Sequence, residues 1–186
     1  MTKIKNNPLL KGASGLLGDT VVYRQYNGEV IMANRPVKIP ITPHQIKTKE
    51  RFMNGVRYAK HQMTQPEIKA LYARKITGRR NSAYTVALTD FLNPPVIHAI
   101  FVHNYTGEPG SKIVVDAKDD FEVESVTVKI FDESLTIVEE GKATHAPSHD
   151  LWHYAATASH PKLSKTKIVA TAVDRAGNLV TRELEL

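Results

Sequence analysis

The strand and turn near the carboxyl end of the chain decide the predicted fold. They read Ile168-Val169-Ala170-Thr171-Ala172-Val173-Asp174-Arg175-Ala176-Gly177-Asn178-Leu179. Apolar side chains at every second position are typical of a strand with one buried face, and the Ala-Gly-Asn that follows favours a turn. The same period-two pattern recurs in three earlier runs: Ile113, Val115 and Ala117; Val126, Val128 and Ile130; Trp152, Tyr154 and Ala156. About seven short strands over residues 96–186 predict an immunoglobulin-like β-sandwich.

Two parts of the chain resemble known bacterial proteins. The segment Asp174–Leu179, reached through its strand, is similar to the closing hairpin of many bacterial immunoglobulin-like domains. That resemblance implies a module that serves as a spacer, an adhesion unit or a decoration on a larger assembly. The amino-terminal half is similar to uncharacterised proteins common in Bacteroidetes, and that resemblance implies no activity. It rests on Gly15-Leu16-Leu17-Gly18, Val22-Tyr23-Arg24, Arg35-Pro36, Thr42-Pro43-His44-Gln45 and Phe52.

A β-hairpin is predicted over residues 20–36. Asn27-Gly28 lies between two apolar runs and favours a type I′ turn, because both residues tolerate a positive φ angle. A lone hairpin is at best marginally stable in water, so it must pack on the helices of its own chain or on another chain. With this turn, four side chains share one face and are candidate assembly contacts: Tyr23, Gln25, Val30 and Met32.

Short helices are predicted between the hairpin and Pro94-Pro95. Thr42-Pro43-His44-Gln45 matches a capping box with proline at the first helical position, and apolar residues follow at helical spacing. The double proline cannot continue a helix. The predicted fold class is therefore α+β in two parts, a hairpin plus short helices followed by an all-β immunoglobulin-like sandwich. The predicted domains are a glycine-rich arm and hairpin, a basic helical region and an acidic sandwich: 1–41, 42–95 and 96–186.

Charge is divided at the same place. Residues 1–95 contain 16 Lys and Arg against 5 Asp and Glu (16 − 5 = +11), whereas residues 96–186 contain 9 against 14 (9 − 14 = −5), which gives +6 in total. A basic surface attracts an anionic partner, either nucleic acid or the acidic half of a neighbouring copy. Two solvated surfaces of unlike composition would give the same division. The densest basic cluster, a candidate contact for an anionic partner, is Arg74, Lys75, Arg79 and Arg80.

Composition excludes several classes of protein. With 186 residues, of which 41% are hydrophobic, the chain is not disordered as a whole, and without cysteine it has no disulfide or cysteine-ligated metal site. No apolar run approaches the roughly 20 residues of a membrane-spanning helix. Met1–Lys11 lacks the apolar segment of a signal peptide, so a cytoplasmic location is expected.

Residue types that bind metals occur in two groups. Histidines lie close together in sequence at His145, His149, His153 and His160, and would suit zinc if they shared a face. Carboxylates fall near one end of the predicted sandwich at Asp116, Asp119, Asp120 and Asp174, and would suit calcium. Both groups lie in segments where solvated side chains are common, so no cofactor is predicted. Ser148-His149-Asp150 has the residue types of a hydrolase triad, but three consecutive side chains point apart.

These observations predict a non-enzymatic structural or interaction protein. It would be a building block or decoration subunit of a larger assembly and would dock through its basic amino-terminal half. Its partners would be proteins, through self-association or a larger assembly. The alternative is a nucleic-acid-binding accessory protein that contacts phosphates through the basic helical region.

Overall fold

The computed structural model describes residues 2–4, 7–37, 40–147, 150–160 and 162–186. They form two compact units, 1–46 and 47–186. The described residues contain three antiparallel sheets of four strands each, together with three α-helices and one 3-10 helix.

The first unit contains one sheet of four short strands. These are β1 (Thr2–Ile4), β2 (Gly15–Leu17), β3 (Val21–Tyr26) and β4 (Glu29–Asn34), and the 3-10 helix Pro8–Leu10 follows β1. Their order across the sheet is β1-β4-β3-β2. The predicted hairpin is β3–β4, and Asn27 and Gly28 have the positive φ angles, 51° and 78°, that a type I′ turn requires. The predicted register is confirmed, since Tyr23 lies opposite Met32 and Gln25 opposite Val30.

Three helices follow, namely α1 (Pro43–Met63), α2 (Pro66–Ala73) and α3 (Ala83–Leu92). The predicted capping box begins α1, because the Gln45 amide donates to Thr42 Oγ1 at 3.3 Å and the Thr42 amide donates to Gln45 Oε1 at 3.0 Å. Ser82 caps α3 by accepting a hydrogen bond from the Thr85 amide at 3.2 Å. The prediction of short helices in this region is confirmed.

The eight remaining strands form two sheets. They are β5 (Val96–Asn104), β6 (Lys112–Lys118), β7 (Val123–Phe131), β8 (Ile137–Lys142), β9 (Thr144–Ala146), β10 (Leu151–Ala155), β11 (Lys167–Asp174) and β12 (Leu179–Glu185). One sheet has the order β5-β6-β10-β9 and the other β12-β11-β7-β8. Every apolar residue predicted to alternate inward is buried, and residues from both sheets belong to one hydrophobic cluster. The two sheets therefore pack face to face as a β-sandwich.

The helices pack on the sandwich and share its compact unit. Ala59 of α1, Tyr72 of α2 and Val86 of α3 are fully buried in a second hydrophobic cluster. That cluster also contains Phe121, which lies between β6 and β7, and its ring centroid is 4.4 Å from that of Tyr72. A side chain from the sandwich thus completes the core of the helical layer.

The predicted fold class is wrong. An α+β fold in two parts separates the helices from the sandwich, whereas the described residues are mostly β and the helices belong to the same compact unit as the two carboxy-terminal sheets. The physical reason is that three short helical stripes bury too little apolar surface by themselves and need Phe121 as well. The resemblance to immunoglobulin-like domains remains a prediction.

No helix in the described part of the chain is both long enough and apolar enough to cross a lipid bilayer.

Candidate functional site

Apolar side chains of the first unit remain exposed to solvent. Leu16 is 52% exposed, Leu17 61% and Tyr26 64%. Among the described residues of this unit, the buried hydrophobic ones are Val30 and Ile31. A single sheet with so little buried apolar surface is marginally stable unless something covers it.

Strand β2 lies at an edge of this sheet, and no strand of the described residues pairs with the outer side of its backbone. Soluble proteins usually protect such edges with charged residues or proline. The other edge strand, β1, carries Lys3, whose ammonium group lies 2.7 Å from the carboxylate of Glu29. Strand β2 consists of Gly15, Leu16 and Leu17 and carries neither a charge nor a proline. We call this exposed strand the β2 edge, and its composition favours pairing with a strand from another chain.

The four predicted assembly contacts differ in accessibility. Gln25 is exposed, Tyr23 and Met32 are half-buried, and Val30 is only 8% exposed. Because of this low exposure, Val30 belongs to the interior of its own unit, although it also lines a cleft together with Leu10 of the 3-10 helix. The β2 edge adds two exposed leucines that were not among the predicted contacts, because this segment was predicted to be a glycine-rich arm.

The predicted basic cluster is divided by the fold. Arg80 forms an ion pair with Asp120, with 2.7 Å between Nη2 and Oδ2, and also donates to the Asp120 carbonyl oxygen at 3.3 Å. Burial by itself would raise the pKa of Asp120, but hydrogen bonds from Asn93 and Arg80 outweigh it and lower that pKa. Arg74, Lys75 and Arg79 remain exposed, and no ion pair is found for them among the described residues. Part of the opposite charge of the two halves is thus neutralised within the chain.

The histidines of the predicted zinc group do not converge. His145 lies opposite Trp152 and its ring is 3.3 Å from Asp150 Oδ1, whereas His153 projects from the other face of the same sheet. His160 hydrogen-bonds to the Thr166 hydroxyl at 3.0 Å. His149 lies outside the described residues. Among the described members, therefore, the histidines form no metal site.

A chain of hydrogen-bonded polar groups, from partly buried Tyr58 to fully buried Asp90, links the helices. The Tyr58 and Tyr72 hydroxyl oxygens are 2.8 Å apart, and Tyr72 donates to Asp90 Oδ2 at 2.6 Å. The Asp90 side chain lies in the last turn of α3 and is completely buried. Burial is the main cause that raises the pKa of Asp90 to about 6, with smaller contributions from the carboxylates of Asp174 and Asp119 and an opposing effect of the Tyr72 hydrogen bond.

Asp90 meets two further carboxylates at one end of the sandwich. Asp119 lies between β6 and β7, and Asp174 is the last residue of β11. One oxygen from each of the three carboxylates lies within 4.8 Å of one from each of the others. We call this group the carboxylate cluster.

Backbone and side-chain groups hold the cluster in place. Asp119 Oδ2 accepts hydrogen bonds from the amides of Phe121 and Glu122, at 2.8 and 3.1 Å. Both oxygens of Asp174 are 2.7 Å from nitrogen atoms of Asn178. The Asn178 side-chain amide also donates to the carbonyl oxygens of Asp90 and Phe91, at 3.2 and 3.1 Å. The turn after β11 is thereby attached to the end of α3.

The sequence predicted part of this cluster. Of the four carboxylates predicted near one end of the sandwich, the structure brings together Asp119 and Asp174. Asp120 pairs with Arg80 instead, and Asp116 lies within β6, outside the cluster. Sequence reasoning missed Asp90 because it was assigned to a helix of the other half. A signal was available, since a carboxylate four residues after Val86 lies on the buried face of α3.

No protein-family model matches the sequence, and no curated protein matches it. A solved structure that matches is the crystal structure of an engineered protein, determined at 1.98 Å. The two are 20% identical with a TM-score of 0.34, and the match covers 50% of this chain and 19% of that chain. A likeness at this level shows neither a family nor a function.

Proposed function

We propose that this protein is a non-enzymatic building block of a larger assembly and that it docks through the β2 edge of its amino-terminal sheet. The observation that supports the proposal is an uncharged edge strand whose leucines, Leu16 and Leu17, are more than half exposed. Pairing with a strand of another chain would satisfy the free backbone groups of the edge. Full burial of each leucine would contribute about 1.5–3 kcal/mol.

The acceptor that we propose is the acidic half of a second copy. Residues 1–95 carry a net charge of +11 (16 − 5) and residues 96–186 carry −5 (9 − 14), so unlike surfaces of two copies attract each other. A contact between two different surfaces is heterologous, and it builds rings or open chains rather than a closed dimer. Because exposed charges are screened by salt, the association should weaken as ionic strength rises.

Light scattering coupled to size-exclusion chromatography tests this proposal. The wild-type chain should form species larger than a monomer at high concentration and low salt. Leu17→Glu should weaken the association at least tenfold, since a carboxylate would be buried at the contact. Leu9→Glu is the matched control, because Leu9 belongs to the same unit, is 92% exposed and lies off the β2 edge. A wild-type chain that remains monomeric, or equal losses in both variants, would contradict the proposal.

One observation favours a second function, the binding of nucleic acid. Arg74, Lys75 and Arg79 lie together after α2, are exposed and have no ion-pair partner among the described residues. Three phosphate contacts would give binding that falls steeply with salt.

Fluorescence anisotropy with single- and double-stranded DNA and RNA tests this alternative. Replacing the three residues by alanine should abolish the binding measured at low salt. The same replacement at three exposed lysines of α1, Lys47, Lys49 and Lys60, should leave most of it. The absence of binding at low salt would rule the alternative out.

A further inference from the structure

The carboxylate cluster contains oxygen atoms that accept no hydrogen bond from the described part of the chain. Asp90 Oδ1 and Asp119 Oδ1 are buried and have no hydrogen-bond partner among the described residues. The Asp90 side chain is 0% exposed, so bulk water does not solvate this oxygen. A buried carboxylate oxygen without a partner is costly, and three carboxylates within 4.8 Å of one another also repel.

Arg175 acts on the cluster only through its charge, which lowers the pKa of Asp90. Its guanidinium lies closer to Glu122, with 3.9 Å between Nη1 and Oε2. Among the described residues, no basic side chain forms an ion pair with a carboxylate of the cluster.

We propose that Asp90, Asp119 and Asp174 bind one calcium ion that ties helix α3 to the end of the sandwich. This inference is independent of the proposed docking function, because the cluster lies in the second unit and the β2 edge in the first. It goes beyond the sequence prediction, since the helical residue Asp90 supplies a ligand and Asp116 and Asp120 do not.

The chemistry of the cluster suits calcium. Calcium is bound by oxygen ligands at about 2.3–2.6 Å, so ligands on opposite sides of the ion are about 4.6–5.2 Å apart. The 4.8 Å within which the three carboxylate oxygens lie is compatible with that span. Magnesium requires bonds of about 2.0–2.1 Å in a near-ideal octahedron and gives up its water ligands reluctantly, so a site with two fully buried carboxylates suits it less.

A surface cleft reaches one member of the cluster. Asp119 lines this cleft of about 390 Å³ together with Lys75, Lys118 and Glu122, so both basic and acidic side chains face an entering ion. We expect calcium to enter from this side, because Asp90 and Asp174 are fully buried. Water from the cleft would complete the coordination that three carboxylates leave open.

Calcium titration of the 186-residue chain, after treatment with EDTA to remove any bound metal, tests this proposal. Calorimetry with calcium chloride should show one ion bound per chain, and the melting temperature should rise with calcium concentration. Terbium should bind at the same place and should be sensitised by tyrosine, because the Tyr72 hydroxyl lies 2.6 Å from Asp90 Oδ2. Magnesium at equal concentration should shift the melting temperature less than calcium does.

Variants assign the ligands. Asp119→Asn should weaken calcium binding at least tenfold. Asp116→Asn is the matched control, because Asp116 also has a buried oxygen without a partner among the described residues but lies outside the cluster. Asp90→Asn should fold in EDTA at least as stably as the wild type, since it removes a repelling charge, and should lose the calcium response.

Several results would overturn the proposal. One is the absence of binding at millimolar calcium, and another is an equal loss of binding in Asp119→Asn and Asp116→Asn. Tighter binding of magnesium would overturn the choice of ion. The free energy of unfolding of the wild type in EDTA could instead rise as the pH falls through about 6, with no response to calcium. That result would show that a proton, and not a metal ion, neutralises the cluster.

Discussion

Glu139 of strand β8 is a buried carboxylate whose hydrogen bonds compensate for its loss of solvent. Its Oε2 atom accepts from the Tyr154 hydroxyl at 3.0 Å, from the Thr157 amide and hydroxyl at 2.8 Å each, and from the Ala158 amide at 3.2 Å. Burial would raise the pKa of Glu139, but these hydrogen bonds outweigh it and lower the pKa below its usual value. At the scale of single residues, this side chain fixes the segment after β10 to the neighbouring sheet.

Glu139→Gln should therefore lower the free energy of unfolding by about 1–3 kcal/mol at neutral pH, since hydrogen bonds to a charged acceptor are replaced by neutral ones. The pKa of Glu139 is lower in the folded state than in the unfolded state. The charged carboxylate therefore contributes its full stabilisation at pH values above the unfolded-state pKa, and this stabilisation is lost as the pH falls through the folded-state pKa. Urea denaturation of both proteins from pH 7 to pH 3 measures this difference, which should narrow in acid.

The control is Glu140→Gln, which changes an exposed neighbour that is 3.1 Å from Lys129. An exposed pair of this kind contributes about 0–1 kcal/mol. A difference between Glu139→Gln and the wild type that stays constant with pH would show that the charge of Glu139 is not what stabilises the fold.

Tyr72 joins the buried polar groups of the helical layer. Tyr72→Phe removes the hydroxyl that donates to Asp90 and contacts Tyr58, and it leaves both partners without that bond. We expect a loss of about 1–3 kcal/mol in the free energy of unfolding, measured by urea denaturation. Tyr26→Phe is the control, because Tyr26 is 64% exposed, and it should be close to neutral. Equal stability of Tyr72→Phe and the wild type would refute a structural role for this hydroxyl.

At the scale of elements, the β3–β4 hairpin depends on its two-residue turn. Gly28 has a φ angle of 78°, and no atom lies within 4 Å of the position that its Cβ would occupy. Gly28→Val should therefore destabilise the hairpin through the backbone alone, by about 1–2 kcal/mol. Gly78→Val is the matched control, because Gly78 has similar open space but no positive φ angle.

Hydrogen exchange followed by mass spectrometry measures this effect. Gly28→Val should lose protection in β3 and β4, with no change over residues 47–186, and Gly78→Val should keep the protection of both strands. Unchanged protection in Gly28→Val would mean that the turn does not determine the stability of the hairpin.

Elements that are determined by residues close together in the sequence could be predicted. The Asn27-Gly28 turn, the Thr42 capping box and the alternation along β11 each depend on neighbouring residues, and all three are present. Strand β2 was missed because a strand of three residues, the first of them glycine, is too short to show a periodic pattern. Contacts such as that of Asn178 with the carbonyl oxygens of α3 join residues 87 and 88 positions apart, and no local pattern indicates them.

At the scale of the whole molecule, the opposite charge of the two halves was interpreted as two separate parts. The net charge of a segment does not show which residues form ion pairs with one another. Arg80 of the basic half forms an ion pair with Asp120 of the acidic half in the same chain. Two of the three members of the carboxylate cluster were predicted, and Asp90 was missed because it meets Asp174 only through tertiary packing. The helices and the sandwich consequently form one compact unit.

This unit should unfold in one cooperative transition. The single tryptophan, Trp152, lies in the sandwich, whereas far-ultraviolet circular dichroism at about 222 nm reports the helices. The two signals should give the same denaturation midpoint. Phe121→Ala should lower the free energy of unfolding by about 3–5 kcal/mol, because it leaves a cavity in the core between the helices and the sandwich. Both denaturation midpoints should then fall together.

Phe101→Ala is the control for that variant, since Phe101 is 42% exposed, and it should cost less. Two well-separated midpoints in the wild type would contradict a shared core.

The proposed docking function depends on pairing between the exposed β2 edge and another chain. The most direct measurement is hydrogen exchange of residues 15–17 in dilute and in concentrated protein at low salt. We predict that backbone amides of β2 become protected as the chains associate and that Leu17→Glu abolishes this gain. Association without added protection at β2, or a chain that stays monomeric at every concentration, would contradict the account.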